Sequence, residues 1–235
     1  MTLRSIEPAQ RSAAKVVGFL YLFLMVTGVF AEFYARGPLI VPGDAVHTAQ
    51  NIAASERLFR ISIVSNLITF AGDVALLWAL YVVLRPINKN VALLAAFWRL
   101  AESSILGVVT LHDFAALRLL SGAEYLRAFD TQQLQVLARL FVGVQADGYR
   151  IGIVFFGLGS TMFAYLWFKS RYIPRWLAAW GIFASLVVAI VTLVMMVFPG
   201  LAPVVTPAYY APIALFEITL GLWLLWKGIQ APNVE

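Results

Sequence analysis

Six stretches of the chain are apolar almost without interruption: approximately Lys15–Tyr34, Arg60–Leu84, Val91–Leu117, Tyr149–Phe168, Trp176–Phe198 and Tyr209–Trp226. A helix needs about 20 mostly apolar residues to cross the hydrocarbon of a bilayer, and these stretches have that length. Turn chemistry separates them in Arg85–Asn90 (RPINKN), Lys169–Arg175 (KSRYIPR) and the proline-rich run Pro199–Pro207. Proline lacks a backbone donor and disfavours helix in the residue before it, so these are natural ends. A lipid-facing barrel would require strands that alternate apolar and polar residues, and the runs show no such alternation. The pattern predicts an all-α integral membrane bundle of six transmembrane helices, forming one domain over residues 1–235.

Two connections are longer than turns. Asp44 opens a mildly amphipathic stretch, Ala45–Phe59, that leads into the second span. Asp130 and Gln133 have capping-box spacing. Beyond them Leu134, Leu137, Phe141 and Val144 keep the rhythm of a helix with one apolar face. That rhythm predicts an outer interfacial amphipathic helix between spans three and four.

Composition narrows the class. The chain is 62% hydrophobic and 12% charged, whereas soluble domains run near ~45–50% and ~25%. Neither a water-facing surface nor a disordered chain fits such figures, and a lipid bilayer is the implied partner. The net charge of +5 forms no basic stripe, so nucleic acid is not an expected partner. The Lys and Arg residues flank the apolar runs instead. With the N-terminus inside, nine of them, from Arg4 to Lys227, fall on the cytoplasmic side and seven outside, and both short inner loops are basic. This distribution predicts the cytoplasmic (inner) membrane of a cell, with both termini cytoplasmic. Val29-Phe30-Ala31 has the look of a cleavage site, but the first apolar run exceeds a signal core and reads as a retained helix.

Four ionisable residues sit near the middle of their spans: Asp73, Arg99, Glu102 and Glu217. Such groups cost at least about 2.5–3.5 kcal/mol at mid-bilayer on insertion scales and persist only when compensated. The turn between spans two and three centres near Ile87 and Asn88, which sets Asp73 level with Glu102 and Arg99 within a turn of both. At about 100° per residue, Arg99, Glu102, Ser103, Thr110 and Asp113 share one sector of span three. Ser62, Asn66, Thr69 and Asp73 share one of span two. Pro212, five residues before Glu217, is expected to kink the last span. Asp73, Glu102 and Glu217 against Arg99 leave a net −2 if all are ionised, a cost at low dielectric that a bound proton would offset. A ligand or proton site is therefore expected at Asp73, Arg99, Glu102, Glu217, Asn66 and Thr69. Glu32, His112 and Asp113 are expected to line an outer vestibule near Arg36, Arg57, Arg60, Asp147 and Arg150. The plainer alternative is structural pairing of spans, each polar contact contributing ~0.6–2 kcal/mol.

No catalytic residues are assigned. With no cysteine and two histidines on separate segments, neither a metal nor another cofactor is expected. The small residues Gly152, Gly157, Gly159 and Ser160 suit close helix packing. Trp167, Tyr172, Trp176, Trp223 and Trp226 form an aromatic belt at the inner span ends.

Several runs together resemble one family: Ile52–Arg60 (IAASERLFR), Asp73–Leu77 (DVALL), Leu80–Pro86 (LYVVLRP), Leu93–Glu102 (LLAAFWRLAE), Phe155–Gly157 (FFG), Ser170–Leu177 (SRYIPRWL), Phe216-Glu217 and Leu222–Gly228 (LWLLWKG). They are similar to a bacterial multi-pass membrane family catalogued as domain of unknown function 4386. Phe216 and Ala179 stand where that family carries glycine. The resemblance implies an integral membrane protein and transfers no activity. Three functions stay open. The first is binding or translocation of a small polar or amphiphilic ligand, with proton coupling, at a charged midplane pocket. The second is a non-catalytic accessory subunit of a membrane complex, and the third, with no substrate in view, a metal-free intramembrane enzyme.

Overall fold

A computed structural model describes residues 6–230, the side chain of residue 207 excepted; Arg4 of the charge count lies outside them. The described residues are all-α, with short 3-10 and π turns between helices. Helix α1 is Pro8–Val29, and it passes into a π-helical turn, Phe30–Arg36, and a 3-10 turn, Gly37–Leu39. Next come α2 (Ala45–Ala54), α3 (Glu56–Leu84), α4 (Lys89–Val109), α5 (Leu111–Leu119), α6 (Thr131–Ser170), α7 (Arg175–Val197), α8 (Ala202–Tyr209) and α9 (Ala211–Trp226).

Five helical stretches are long and apolar enough to cross a membrane: Pro8–Leu39, Glu56–Leu84, Lys89–Leu119, Thr131–Ser170 and Arg175–Val197. Pro199–Thr206 and Ala211–Trp226, bent by 47°, make a sixth if the pair counts as one span. Many large apolar side chains lie exposed along them, Trp78, Phe97, Phe183 and Leu215 among them. Burial of apolar area drives a soluble chain to hide such groups; in lipid they are the proper surface.

Three local expectations change. The amphipathic stretch after Asp130 and the fourth span, expected as two elements, are continuous. Residues 131–170 contain no proline, and they form one 40-residue helix. Its start is the foreseen capping box: Asp130 Oδ1 accepts from the Gln133 N–H at 2.8 Å, and Gln133 Oε1 from the Asp130 N–H at 3.4 Å. At 1.5 Å per residue this helix is roughly 60 Å long, twice the hydrocarbon thickness of about 30 Å. Pro212, secondly, occupies the first turn of α9, where a missing N–H costs nothing. The kink foreseen inside the last span is thus a break before it. Thirdly, the third span is interrupted at Thr110, between α4 and α5.

The described residues group into two compact units. One comprises the chain up to Met25, Gly72–Ser103 and everything from Gly152 onward; the other is Val26–Ala71 with Ser104–Ile151. In the first, α1 crosses α9 at two glycines. A Cβ on Gly18 would stand 2.8 Å from the Gly221 carbonyl oxygen, so backbones touch there. α7 packs on α9, where Phe216 covers Gly181. The second unit has an apolar core of Leu39, Ile52, Phe59, Ile63, Ala116, Leu117, Ala138 and Val142. Its α2 is capped by Asp44, whose carboxylate accepts the His47 N–H at 2.9 Å.

Candidate functional site

In the first unit α4 presents Arg99, Glu102 and Ser103 on one face, three and four residues apart. Arg99 is 4% exposed. Its Nη2 donates to Asp73 Oδ1 from α3 and its Nη1 to Ser160 Oγ from α6 at 3.1 Å. Its Nε lies 3.2 Å from Glu102 Oε2, close enough to pair charge. That approach misses the hydrogen-bond direction, so both atoms are buried without a hydrogen-bond partner. Phe156, one turn before Ser160, sets its ring 4.3 Å from the guanidinium carbon, a cation–π contact on the apolar side of the charge. Asp73 is fully committed, because its Oδ2 accepts from Ser103 Oγ at 2.8 Å.

Packing holds this arrangement closed on the α6 side. A Cβ on Gly159 would stand 2.7 Å from Arg99 Cγ and 3.0 Å from the Ala95 carbonyl oxygen, so only glycine fits. Glu217 of α9 and Tyr21 of α1 lie within electrostatic range of Arg99 and Asp73. Glu217 makes neither a hydrogen bond nor an ion pair among the described residues. The unit therefore gathers three carboxylates around one guanidinium from three helices, with Glu217 the least committed of them.

The second unit holds a different buried arginine. Arg36, 6% exposed, donates to Gln145 Oε1 at 2.7 Å and to Asp113 Oδ1 at 3.5 Å. Glu32 Oε2 is 3.6 Å from its Nη1. Arg36 Nε and Asp113 Oδ2 are buried without hydrogen-bond partners. Beside it is a cavity of about 360 Å³, lined by Arg36, Arg139, Asp147 and Arg150 and otherwise by apolar residues and glycine.

Of the residues singled out in the sequence, Asp73, Arg99 and Glu102 meet, with Glu217 in range. Asn66 and Thr69 are elsewhere: Asn66 donates to Glu32 at 2.8 Å, and the Thr69 hydroxyl bonds that of Thr27 at 2.8 Å. Both belong to the second unit. They share an angle with Asp73 but not a depth, since seven residues of helix separate Asn66 from Asp73 by roughly 10 Å. Glu32 and Asp113 meet at Arg36, whereas the His112 ring turns to the Val109 carbonyl at 3.0 Å. Arg60 pairs with Glu56 on the surface. In the sequence Ser160 signals only a small packing residue. Phe156 enters the sequence reading only within the FFG run, and Tyr21 and Gln145 not at all, because a lone aromatic or amide in an apolar run breaks no pattern. Among the described residues no group of three or more His, Cys, Asp or Glu is placed to hold a metal ion.

No solved structure matches the chain. An uncharacterized protein of Archaeoglobus fulgidus is 28% identical over 179 residues, covering 74% of this chain and 87% of that one. The profile of the family described as "Domain of unknown function (DUF4386)" matches residues 16–228, which include the hairpin of Asp73, Arg99 and Glu102 and also Glu217. A match over that much of the sequence places the chain in this family, and its own candidate spans make it a multi-pass helical membrane protein.

Proposed function

We propose that the protein binds or translocates a small polar or amphiphilic ligand and couples this to a proton held in the Arg99 cluster. One observation carries the reading: Asp73, Glu102 and Glu217 surround Arg99 inside candidate spans. Ionised together they leave two surplus negative charges, which a low-dielectric setting penalises unless a proton is shared among them. Glu217 is the acid best placed to exchange that proton, since losing it breaks no hydrogen bond among the described residues. Intramembrane ionisable groups with this character typically serve ion or substrate pathways.

The test is uptake by proteoliposomes offered a panel of small organic acids, amines and amphiphiles. A transported compound should enter faster under an imposed pH gradient. Asp73→Asn or Glu217→Gln should abolish that response. Uptake indifferent to both gradient and substitution would remove the coupling.

A structural reading is favoured by one feature, the tight fit of Gly159 on the Arg99 stem. An accessory subunit would need such a knot only for folding. Glu217→Gln separates the two: it removes no hydrogen bond among the described residues, so a purely structural knot leaves the chain folded and functional, whereas a proton site stays folded and loses its activity.

The wider topology follows the same reasoning. The bent pair α8–α9 is read as the sixth crossing, with both termini on the cytoplasmic side of the cell membrane. The first half of α6 is read as lying at the outer interface, supported by the exposed apolar row Val136, Leu140 and Val144.

A further inference from the structure

The cavity of the second unit combines features that a merely solvated cleft lacks. Arg139, Gly143, Asp147 and Arg150 recur along one face of α6, and Arg36 arrives from the π-helical end of α1. Two of the three guanidiniums are held in place. Gln145, at 2.7 Å, orients Arg36, and Asp147, at 2.6 Å, orients Arg150. The third, Arg139, makes no hydrogen bond or ion pair among the described residues. Gly143 leaves room beside it, since a Cβ there would be 3.5 Å from Arg139 Nη1. A guanidinium fork matches the paired oxygens of a carboxylate or phosphate.

Charge counting limits the occupant. Arg36, Arg139 and Arg150 are offset by Glu32, Asp113 and Asp147, so the site offers directed donors without a large positive excess. That suits a single negative charge rather than a polyanion. The volume, about 360 Å³, is near the lower end of the roughly 300–1,000 Å³ usual for ligand pockets. From these features we infer that the cavity bordered by Arg36, Arg139 and Arg150 binds a singly charged oxyanion, a carboxylate or a phosphodiester, with Arg139 as the group that closes on it. The source is either a small soluble anion or the headgroup of an anionic phospholipid. This site is distinct from the Arg99 cluster in its residues and does not depend on the function proposed there.

The experiment uses the full chain in nanodiscs of phosphatidylcholine. In one arm, binding of butyrate and of diethyl phosphate is followed by calorimetry against equal sodium chloride. In the other, retention of phosphatidylglycerol is followed by native mass spectrometry. Saturable binding in the first arm identifies a soluble anion, and selective retention in the second identifies a lipid headgroup. In either case Arg139→Gln should weaken binding about tenfold or more, the loss of a charge-assisted hydrogen bond. It should leave the unfolding temperature unchanged, because Arg139 holds nothing else together. The exposed Arg57, outside the cavity lining, provides the control: Arg57→Gln should bind as the native chain does. Arg36→Gln should lose both binding and stability. No saturable binding in either arm, or equal binding by Arg139→Gln and the native chain, overturns the inference.

Discussion

Two arginines are buried to nearly the same degree, Arg99 at 4% and Arg36 at 6% exposure, yet their surroundings differ in kind. Arg99 has carboxylates on two sides, a hydroxyl on a third and an aromatic ring across its carbon, with glycine pressed on its stem. Arg36 has its short contact with a neutral amide, while its two carboxylates stand off at 3.5 and 3.6 Å and a cavity opens beside it. Burial alone therefore does not say what a charged residue does in a membrane protein. The surplus and the fit of its partners do: surplus acid in a closed knot points to protons, and spare donors at an open cavity point to an anion.

The largest expected effect comes from breaking the closed knot. Arg99→Ala strands Asp73 and Glu102 and should cost about 3–5 kcal/mol, as for other buried pairs that lose one member. Reversible unfolding in mixed detergent measures it. Replacing Arg99, Asp73 and Glu102 together by Met, Leu and Gln should recover most of that loss, since an uncharged set leaves none of the three charges unpaired. Arg36→Ala should cost less, about 1.5–3 kcal/mol, the range for hydrogen bonds to charged groups. Equal losses at the two arginines would break the contrast between closed and open.

Smaller changes sharpen it. Gly159→Ala drives a methyl into Arg99 and should destabilise by about 1–3 kcal/mol through overpacking. Gly143→Ala meets only ordinary contact with Arg139 and should be neutral or stabilising by up to about 1 kcal/mol, the helix propensity gain. The smallest effect is local. The Asp44 carboxyl is held below its usual range, first by the His47 backbone N–H and then by the His47 ring. A lowered folded-state value means this cap is at full strength above the ordinary carboxylate range and is lost as pH falls through the lowered value. Hydrogen-exchange protection at residues 45–48, corrected for the intrinsic rate at each pH, should fall at acid pH in the native chain, and Asp44→Asn should remove most of that pH dependence.

Much of this was legible in the sequence, and the rest was hidden for identifiable reasons. Long apolar runs and their proline-bearing ends mark the spans, because hydrocarbon thickness and helical rise leave few alternatives. The Asp130–Gln133 cap follows from spacing alone. Asp73, Arg99 and Glu102 are carried by one hairpin, so counting outward from its turn sets their depths. The same angular reasoning failed for Asn66 and Thr69, since a stripe on a helix fixes direction but extends through many depths. Arg36, Gln145 and Asp113 come from three elements with no short turn between them, and no count along the chain relates their heights. Ser160 and Phe156 escape because their role depends on which helix faces α4, a tertiary fact.

The most direct test of the central claim is infrared difference spectroscopy of the protein in bilayers, following the carbonyl band of protonated carboxyl groups through a pH titration and on transfer to heavy water. The expected result is a protonated carboxyl that exchanges its proton, titrates with the cluster, and is lost or strongly shifted in Glu217→Gln. A spectrum without an exchangeable protonated carboxyl, or one identical in the native chain, Glu217→Gln and Asp73→Asn, would contradict a shared proton around Arg99.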